Sequence, residues 1–278
     1  MATMIPAAAN LTDLLTDGSH TALGAFLPAG FPNFTAGIET LRAFTRHGAD
    51  FLEVGVPVHE PTLDGPDITQ AYAQALGQGA GMAHALSTIR LAVSITGVPV
   101  VAMTYWTPVL EFGIRRFAQN LARVGAAGAM IPDLPLSEAG GWIATAREAG
   151  IHTPQFAPRS ADDEELSRIT DAASGWVYAP AASAPTGFQG ELDLKALGDF
   201  TARLRSATSL PVVGGIGIST PERAVAVAPY VDAVVIGSPL VRPLLQAHGA
   251  LGLETAALQL QAFADALNPP GATRALSA

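Results

Sequence analysis

The chain has 278 residues, of which 49% are hydrophobic and 14% charged, and its formal net charge at pH 7 is −9. This composition excludes wholesale disorder, and the negative charge argues against binding to a nucleic-acid backbone, which needs concentrated Lys and Arg. The absence of cysteine excludes disulfides, thiol catalysis and cysteine-ligated metals. No apolar run reaches the roughly 20 residues of a membrane span, and the N-terminus does not resemble a signal peptide, so we expect a cytoplasmic protein that contacts no membrane.

Short apolar runs alternate with longer amphipathic segments along the chain. Ahead of them, the Ala-rich residues 1–10 are expected to be frayed, and a short helix is predicted over Leu11–Thr16. The predicted strands are Leu23–Pro28, Asp50–Val56, Val98–Thr104, Gly128–Ile131, His152–Phe156, Gly175–Ala179, Pro211–Gly214 and Val231–Ile236. The predicted helical segments lie near residues 34–47, 67–95, 114–124, 137–149, 162–173, 191–206, 220–228 and 239–247, and a terminal helix covers Leu253–Leu267. The tail, residues 269–278, is expected to be flexible.

Apolar strands that are each followed by a helix predict an α/β protein with a parallel sheet covered by helices. Eight such units in about 250 residues favour closure into a single (β/α)8 TIM barrel, with an extra N-terminal helix and a C-terminal helix. A doubly wound open sheet is the alternative. The sequence shows no linker or break in composition, so we expect one domain over residues 1–278. In such a barrel the catalytic groups follow the strands, at the C-terminal face.

Two acids stand out in the stretch FLEVGVPVHEPTLDGPDIT, residues 51–69. Glu53 interrupts an apolar strand, where an ionisable group needs a partner or a task, and a structural ion pair with an arginine is the alternative to catalysis. Asp64 follows in a loop, where ordinary turn chemistry is the alternative. If both acids face the barrel mouth, Glu53 would have a raised pKa and exchange protons near neutrality. Asp64, in an exposed loop, would then stay ionised and stabilise positive charge.

Glycine-rich loops follow the last two predicted strands. The first contains Gly215 and Gly217 and leads into Ser219-Thr220, either of which could cap the next helix. The second is Gly237-Ser238, again just before a predicted helix. Glycines at a helix start let backbone N–H groups approach an anion, and these two loops form the phosphate site of many barrels. Tight turns are the alternative for either loop alone.

The remaining polar and aromatic residues give weaker signals. The six histidines lack the spacing of metal ligands, so we predict no metal site. Tyr105, Asp133 and Tyr178 lie at or just after strand ends, and for Asp133 a structural role is favoured over a catalytic one. Trp176 is more typical of a core residue than of a ligand contact.

From about Leu23 to about Leu245 the chain resembles the tryptophan synthase α-subunit family. The motifs that carry the resemblance are, in order, Phe26-Leu27-Pro28-Ala29-Gly30, Leu52-Glu53-Val54-Gly55-Val56-Pro57, Asp64-Gly65-Pro66, Met103-Thr104-Tyr105, Pro132-Asp133-Leu134-Pro135, Thr186-Gly187, Gly215-Ile216-Gly217-Ile218-Ser219 and Gly237-Ser238. Each motif is short, but their order and spacing together are highly specific.

The resemblance implies a barrel that cleaves indole-3-glycerol phosphate to indole and glyceraldehyde 3-phosphate, a retro-aldol step of tryptophan biosynthesis, with no metal or organic cofactor. It implies that Glu53 is the general acid–base and that Asp64 holds the indole N–H. By the same resemblance the substrate-binding residues are Phe26, Tyr105, Tyr178 and Thr186, and the phosphate-binding residues are Gly187, Gly215, Gly217, Gly237 and Ser238. It also implies a β-subunit partner in an αββα heterotetramer and no nucleic-acid partner.

Several segments depart from the family pattern. Gly30-Phe31-Pro32 replaces Gly-Asp-Pro, His59-Glu60-Pro61 replaces Ser-Asp-Pro at a place that touches the β subunit, and Thr107 replaces Asn. After the sixth strand, residues 181–187 (AASAPTG) replace Ser-Arg-x-Gly-Val-Thr-Gly, and the added proline should stiffen a loop that closes over the substrate. A stand-alone or specialised-pathway lyase is therefore one alternative. A non-catalytic barrel that binds a ligand or activates a β subunit is another, although the two retained acids argue against it.

Overall fold

Apolar runs along the whole chain become parallel strands of one eight-stranded sheet in the computed structural model, which describes residues 6–247 and 249–269. The strand order is β4-β3-β2-β1-β8-β7-β6-β5. The strands are β1 (Ala22–Pro28), β2 (Phe51–Gly55), β3 (Val100–Met103), β4 (Gly128–Met130), β5 (Gln155–Phe156), β6 (Val177–Pro180), β7 (Val212–Gly215) and β8 (Ala233–Ile236). All but β5 agree with the predicted bounds to within two residues.

The sheet closes into a barrel between β4 and β5 through a single parallel bridge, Gly128 to His152. The backbone N–H of Ala129 donates to the carbonyl of His152 at 3.1 Å, and the N–H of His152 donates to Ala127 at 2.9 Å. The strand predicted from His152 is regular only over its last two residues. Pro154 lies between the bridge and β5, and its missing N–H interrupts the ladder. The (β/α)8 barrel predicted from the sequence is confirmed.

Twelve α-helices and one 3₁₀ helix accompany the strands in the described residues. They are α1 (Pro6–Thr16), α2 (Phe34–Arg46), α3 (Pro66–Gly77), α4 (Met82–Thr96), α5 (Trp106–Phe112), α6 (Ile114–Val124), α7 (Ala139–Ala149), α8 (Asp163–Ala172), α9 (Leu194–Ala207), α10 (Pro221–Val227), the 3₁₀ turn Ala228–Tyr230, α11 (Ser238–Gln246) and α12 (Ala250–Leu267). None of the helices in these residues is long and apolar enough to cross a membrane.

Two helical predictions need correction. The segment predicted as one helix near residues 67–95 is two helices, α3 and α4, because Gly79 takes a left-handed backbone conformation (φ +80°) between them. Helix α5, directly after β3, was not predicted. Residues 6–10, expected to be frayed, belong instead to helix α1. The rest of the two terminal expectations, over residues 1–5 and 270–278, lies outside the described residues.

The extra N-terminal helix covers the amino end of the barrel. It begins at Pro6, five residues before its predicted start, and buries Leu11 and Leu15. At the start of the fifth strand, the buried His152 places Nε2 2.9 Å from the hydroxyl of Thr12 and 3.1 Å from the carbonyl of Ala8. With this end covered by α1, ligands reach the barrel interior from the carboxyl ends of the strands.

Candidate active site

A cavity opens at the carboxyl ends of the strands, where loops 2, 6, 7 and 8 meet (loop n follows strand βn). Nine of the eleven predicted site residues line it: Phe26, Glu53, Asp64, Tyr178, Thr186, Gly187, Gly217, Gly237 and Ser238. Of the other two, Tyr105 lies behind Asp64, and Gly215 lies beneath the ring of Tyr178. The fold therefore brings together residues from distant parts of the sequence, as predicted.

Most of the remaining lining is apolar and was not identified from the sequence. It comprises Leu63, Ile68, Met103, Met130, Pro132, Phe156, Phe188, Ile216, Ile218, Ser219, Val235 and Pro239. Phe156 ends a predicted strand, so the rule that site residues lie at strand ends could have found it. Phe188 lies within loop 6, where no periodicity or motif distinguishes it.

Glu53 lies on β2 with 7% of its surface exposed, paired in register with Phe26 of β1 and Val101 of β3. Burial raises the pKa of Glu53 to about 8, and the nearby charge of Asp64 adds to the rise. No described residue forms an ion pair or hydrogen bond with this carboxyl, which removes the alternative of a structural ion pair. Glu53 is therefore mainly protonated at neutral pH and can donate a proton.

Asp64 lies in loop 2 and receives two side-chain hydrogen bonds. The Tyr105 hydroxyl donates to one oxygen at 2.8 Å, and the Thr186 hydroxyl donates to the other at 3.2 Å. Burial raises the pKa of Asp64 to about 6, against the lowering effect of these two bonds. The predicted exposed setting is thus wrong, because loop 6 covers the acid. The prediction that Asp64 is ionised still holds near neutrality, since a pKa of about 6 leaves this carboxyl mainly ionised at pH 7.

Aromatic rings form the wall around Glu53. Tyr178 of β6 stacks on Phe156 of β5 with ring centroids 5.8 Å apart, and Phe26 meets the buried Tyr72 edge-on at 6.5 Å. A β-carbon at Gly215 would overlap the Tyr178 hydroxyl, so only glycine leaves room for this ring. The result is an apolar, aromatic-lined slot beside the two acids, which suits an aromatic group.

The end of the cavity formed by loops 6, 7 and 8 is suited to bind an anion. Gly237 is the N-cap of α11 and has no side-chain cap. Pro239 has no N–H and the N–H of Leu240 donates to the Gly237 carbonyl at 2.9 Å, so the N–H of Ser238 is the first-turn donor left for a ligand. Next to it, the Ser238 hydroxyl oxygen is buried and has no hydrogen-bond partner among the described residues. Gly187 takes a left-handed conformation (φ +83°), and a β-carbon there would lie 3.2 Å from that oxygen. The glycine thus keeps the hydroxyl accessible from loop 6.

Loop 7 contains a strained backbone conformation on the cavity wall. Ile216 has φ +48°, which a β-branched residue rarely adopts, and it is followed by Gly217 at φ +98°. The conformation is held by a hydrogen bond from the N–H of Ala182 in loop 6 to the Ile216 carbonyl at 3.0 Å. Thr220, and not Ser219, caps α10, accepting a bond from the N–H of Arg223 at 3.4 Å.

Loop 6 is tied to loop 2 across the cavity. The N–H of Thr186 donates to the carbonyl of Leu63 at 3.1 Å, and the Thr186 hydroxyl accepts a bond from the N–H of Gly65 at 2.8 Å. A β-carbon at Gly65 would overlap the Thr186 carbonyl oxygen, so this close approach requires glycine. Loop 6 therefore lies closed over the cavity as a lid, and Thr186 in this loop is one of the groups that orient Asp64.

A second cavity lies outside the first, between loop 2 and helix α5. It is lined by His59, Glu60, Tyr105, Thr107 and Asp133, among others, so two of the segments that depart from the family pattern meet here. Asp133 accepts a hydrogen bond from the N–H of Trp106 at 2.8 Å, which fixes the start of α5 and bears out its structural interpretation.

A (β/α)8 barrel with two acids, an aromatic slot and an anion-binding end at its carboxyl face belongs to the class of barrels that act on small phosphorylated substrates. Comparison with known proteins narrows the class. The family model described as tryptophan synthase alpha chain matches residues 13–268, and the chain belongs to this family.

The relatives agree over nearly the full length. The chain is 41% identical to the tryptophan synthase alpha chain of Streptomyces avermitilis over 236 residues, 84% of this chain and 85% of that one. The alpha chain of Streptomyces coelicolor is also 41% identical, over 84% of this chain and 87% of its own. A structure of Mycobacterium tuberculosis tryptophan synthase superposes with a TM-score of 0.86 at 31% identity, covering 96% of this chain and 99% of that chain.

Proposed function

We propose that this chain cleaves indole-3-glycerol phosphate to indole and glyceraldehyde 3-phosphate as the α subunit of a tryptophan synthase. Family membership supports the choice of substrate. One structural observation supports the chemistry: Glu53 is buried and unpaired in the described structure, with a pKa of about 8, beside an Asp64 with a pKa of about 6. At neutral pH one acid is thus protonated and the other ionised, which is the division of roles that proton transfer to an indole requires.

The reaction uses Glu53 twice. Its carboxylic acid donates a proton to C3 of the indole, which leaves a cation delocalised over the ring and the indole nitrogen. The resulting Glu53 carboxylate then removes the proton from the hydroxyl on the carbon attached to C3, and the bond between that carbon and C3 breaks. The bonding electrons restore the aromatic indole, the oxygen forms the aldehyde of glyceraldehyde 3-phosphate, and Glu53 regains its proton.

Asp64 and the cavity walls stabilise this sequence. The ionised Asp64 accepts the indole N–H bond and offsets the positive charge that forms on protonation of C3, while Tyr105 and Thr186 hold its two oxygens in place. The indole lies in the aromatic-lined slot, to which Tyr178 and Phe26 both contribute. The phosphate then lies at the N-terminus of α11, where Ser238 can donate its hydroxyl hydrogen.

Family membership also supports a β-subunit partner in an αββα assembly and a place in tryptophan biosynthesis. The substituted loop 2 residues line the second cavity, so a partner that docks there would meet surfaces different from the usual family pattern. The cytoplasmic location predicted from the sequence stays a prediction.

Indole release from indole-3-glycerol phosphate tests the proposal, measured with the purified chain alone and with a tryptophan synthase β subunit added. We expect release in both cases and faster release with the partner. Glu53→Gln should abolish release while substrate binding persists, whereas Glu39→Gln, a matched change at an exposed position on α2, should leave the rate unchanged. Substrate binding without turnover by the unmodified chain would contradict the proposed activity.

A further inference from the structure

One guanidinium group ties the distal half of loop 6 to loop 7. Arg223, on α10, donates from Nη2 to the carbonyls of Gln189 and Gly190, both at 2.8 Å. From Nη1 it reaches the carbonyl of Gly217 at 3.1 Å and that of Phe188 at 3.5 Å. All four acceptors are backbone carbonyls, and no described carboxylate forms a salt bridge with this side chain.

The residues held in this way belong to the cavity. Phe188 and Gly217 both line it, the first from the lid and the second from the anion-binding end. The Phe188 ring packs closely on Gly190, where a β-carbon would overlap the ring edge, so fixing the Gly190 carbonyl also fixes the ring. Among the described residues Arg223 forms no side-chain hydrogen bond with a residue of the cavity lining other than those to backbone carbonyls, so it acts on the site through the backbone that it holds.

Arg223 is anchored on a rigid element. Its backbone N–H donates to the Thr220 cap, and Pro221 starts the helix in the first turn. A planar guanidinium presents its N–H groups in a fixed fork, so it can hold several carbonyls with little loss of side-chain entropy. An ammonium group at the same position would be a single point charge and could not satisfy the carbonyls of both loops together.

We propose that Arg223 is a positioning residue that holds residues 188–190 of loop 6 over the anion-binding end of the site and thereby sets the affinity for the phosphorylated substrate. The inference rests on the proposed function. Because the 188–190 segment covers bound substrate and the transition state alike, loss of the clamp removes binding common to both, which raises KM and leaves kcat nearly unchanged.

Steady-state rates of indole release provide the first test. Arg223→Ala should raise KM about tenfold, with kcat within about threefold of that of the unsubstituted chain. The KM of Arg223→Lys should lie between those of the unsubstituted chain and Arg223→Ala. Arg205→Ala is the matched control: Arg205 pairs with Asp232 at the amino end of the barrel, away from loop 6, and both constants should stay unchanged. The proposal is overturned if the KM of Arg223→Ala lies within twofold of that of the unsubstituted chain. It is also overturned if kcat falls by as large a factor as KM rises.

Limited digestion with chymotrypsin provides a second test that needs no activity. Cleavage after Phe188, identified by mass spectrometry, should be at least about tenfold faster in Arg223→Ala, and glycerol 3-phosphate should protect the unsubstituted chain more than the variant. Equal cleavage rates in the two proteins would show that Arg223 does not hold residues 188–190 in place. If the unsubstituted chain releases no indole, the proposed function fails, and digestion still decides whether Arg223 holds loop 6. If Arg223→Ala does not fold, both comparisons are made with Arg223→Lys.

Discussion

Replacing Glu53 by Gln should stabilise the fold at neutral and alkaline pH while it abolishes activity. In the folded chain the pKa of Glu53 is about 8, against the value of 4.5 for an unperturbed glutamate. Between these values the folded protein holds a proton that the unfolded chain releases. The free energy of unfolding therefore falls as pH rises, by about 1.4 kcal/mol per pH unit between the two pKa values. The stabilisation that comes from protonated Glu53 is fully present below pH 4.5 and is lost as the pH rises through about 8.

The size of the effect follows from those two pKa values. From the linkage between proton binding and folding, the free energy of unfolding of Glu53→Gln should exceed that of the unsubstituted chain by under about 1 kcal/mol at pH 5 and by about 4 kcal/mol at pH 8. The reason is that glutamine carries no charge to desolvate. For a chain of this length the difference at pH 8 corresponds to a rise in Tm of about 7 °C. Burying an unpaired amide has its own free-energy cost, but that cost does not change with pH. Asp64 titrates in both proteins, so most of its contribution cancels in the difference.

Thermal or urea unfolding of the two proteins at a series of pH values measures this difference. We expect the difference in unfolding free energy between Glu53→Gln and the unsubstituted chain to widen steadily from pH 5 to pH 8. Glu39→Gln, a matched change at an exposed position on α2, serves as the control. A gap that is constant over this range would refute the reasoning, since it would mean that Glu53 does not hold its proton in the folded protein. Retained activity in Glu53→Gln would refute its catalytic role separately.

Three further predictions concern the same cavity. The pH profile of kcat/KM should be bell-shaped with limbs near 6 and 8, since Asp64 must be deprotonated and Glu53 protonated; initial rates from about pH 5 to about pH 9 test this, and a flat profile contradicts it. Tyr105→Phe should move only the acid limb to higher pH, because the hydrogen bond that it removes lowers the pKa of Asp64; an unmoved limb in the same assay would exclude this role. Ser238→Ala should raise KM by up to about tenfold with little change in kcat, and an unchanged KM would place the phosphate elsewhere.

The barrel and the order of its site residues could be predicted from the sequence because both depend on local patterns. Apolar runs with helical segments between them define the strands, and residues at the strand ends meet at one face whatever the details of packing. The break between α3 and α4 was missed although Gly79 lies at it, because the amphipathic pattern continues on both sides. Helix α5 was missed because it follows β3 directly, with no loop signal before it.

The environment of Asp64 could not be predicted, because it depends on a contact across 122 positions in the sequence. Asp64 is covered by Thr186, and that approach requires a glycine at position 65 to avoid the threonine carbonyl. The composition of the Asp-Gly-Pro segment favours an exposed turn and contains no signal of the loop that covers it. The same limit applies to Arg223, whose four acceptors lie on two loops that no local pattern joins.

Departures from ordinary folding rules converge on the cavity and strengthen its functional interpretation. Within the described residues, Ile216 is the one non-glycine residue with positive φ, and it lines the cavity. In the part of the chain that the structure describes, three buried side chains have a polar atom without a hydrogen-bond partner, namely Thr88, Trp176 and Ser238. Of these, Ser238 lines the cavity. Glu53 adds a buried carboxyl with no partner. A fold optimised for stability alone would remove these features, because each costs at least about 1 kcal/mol, so their meeting at one cavity is what selection for binding and proton transfer predicts.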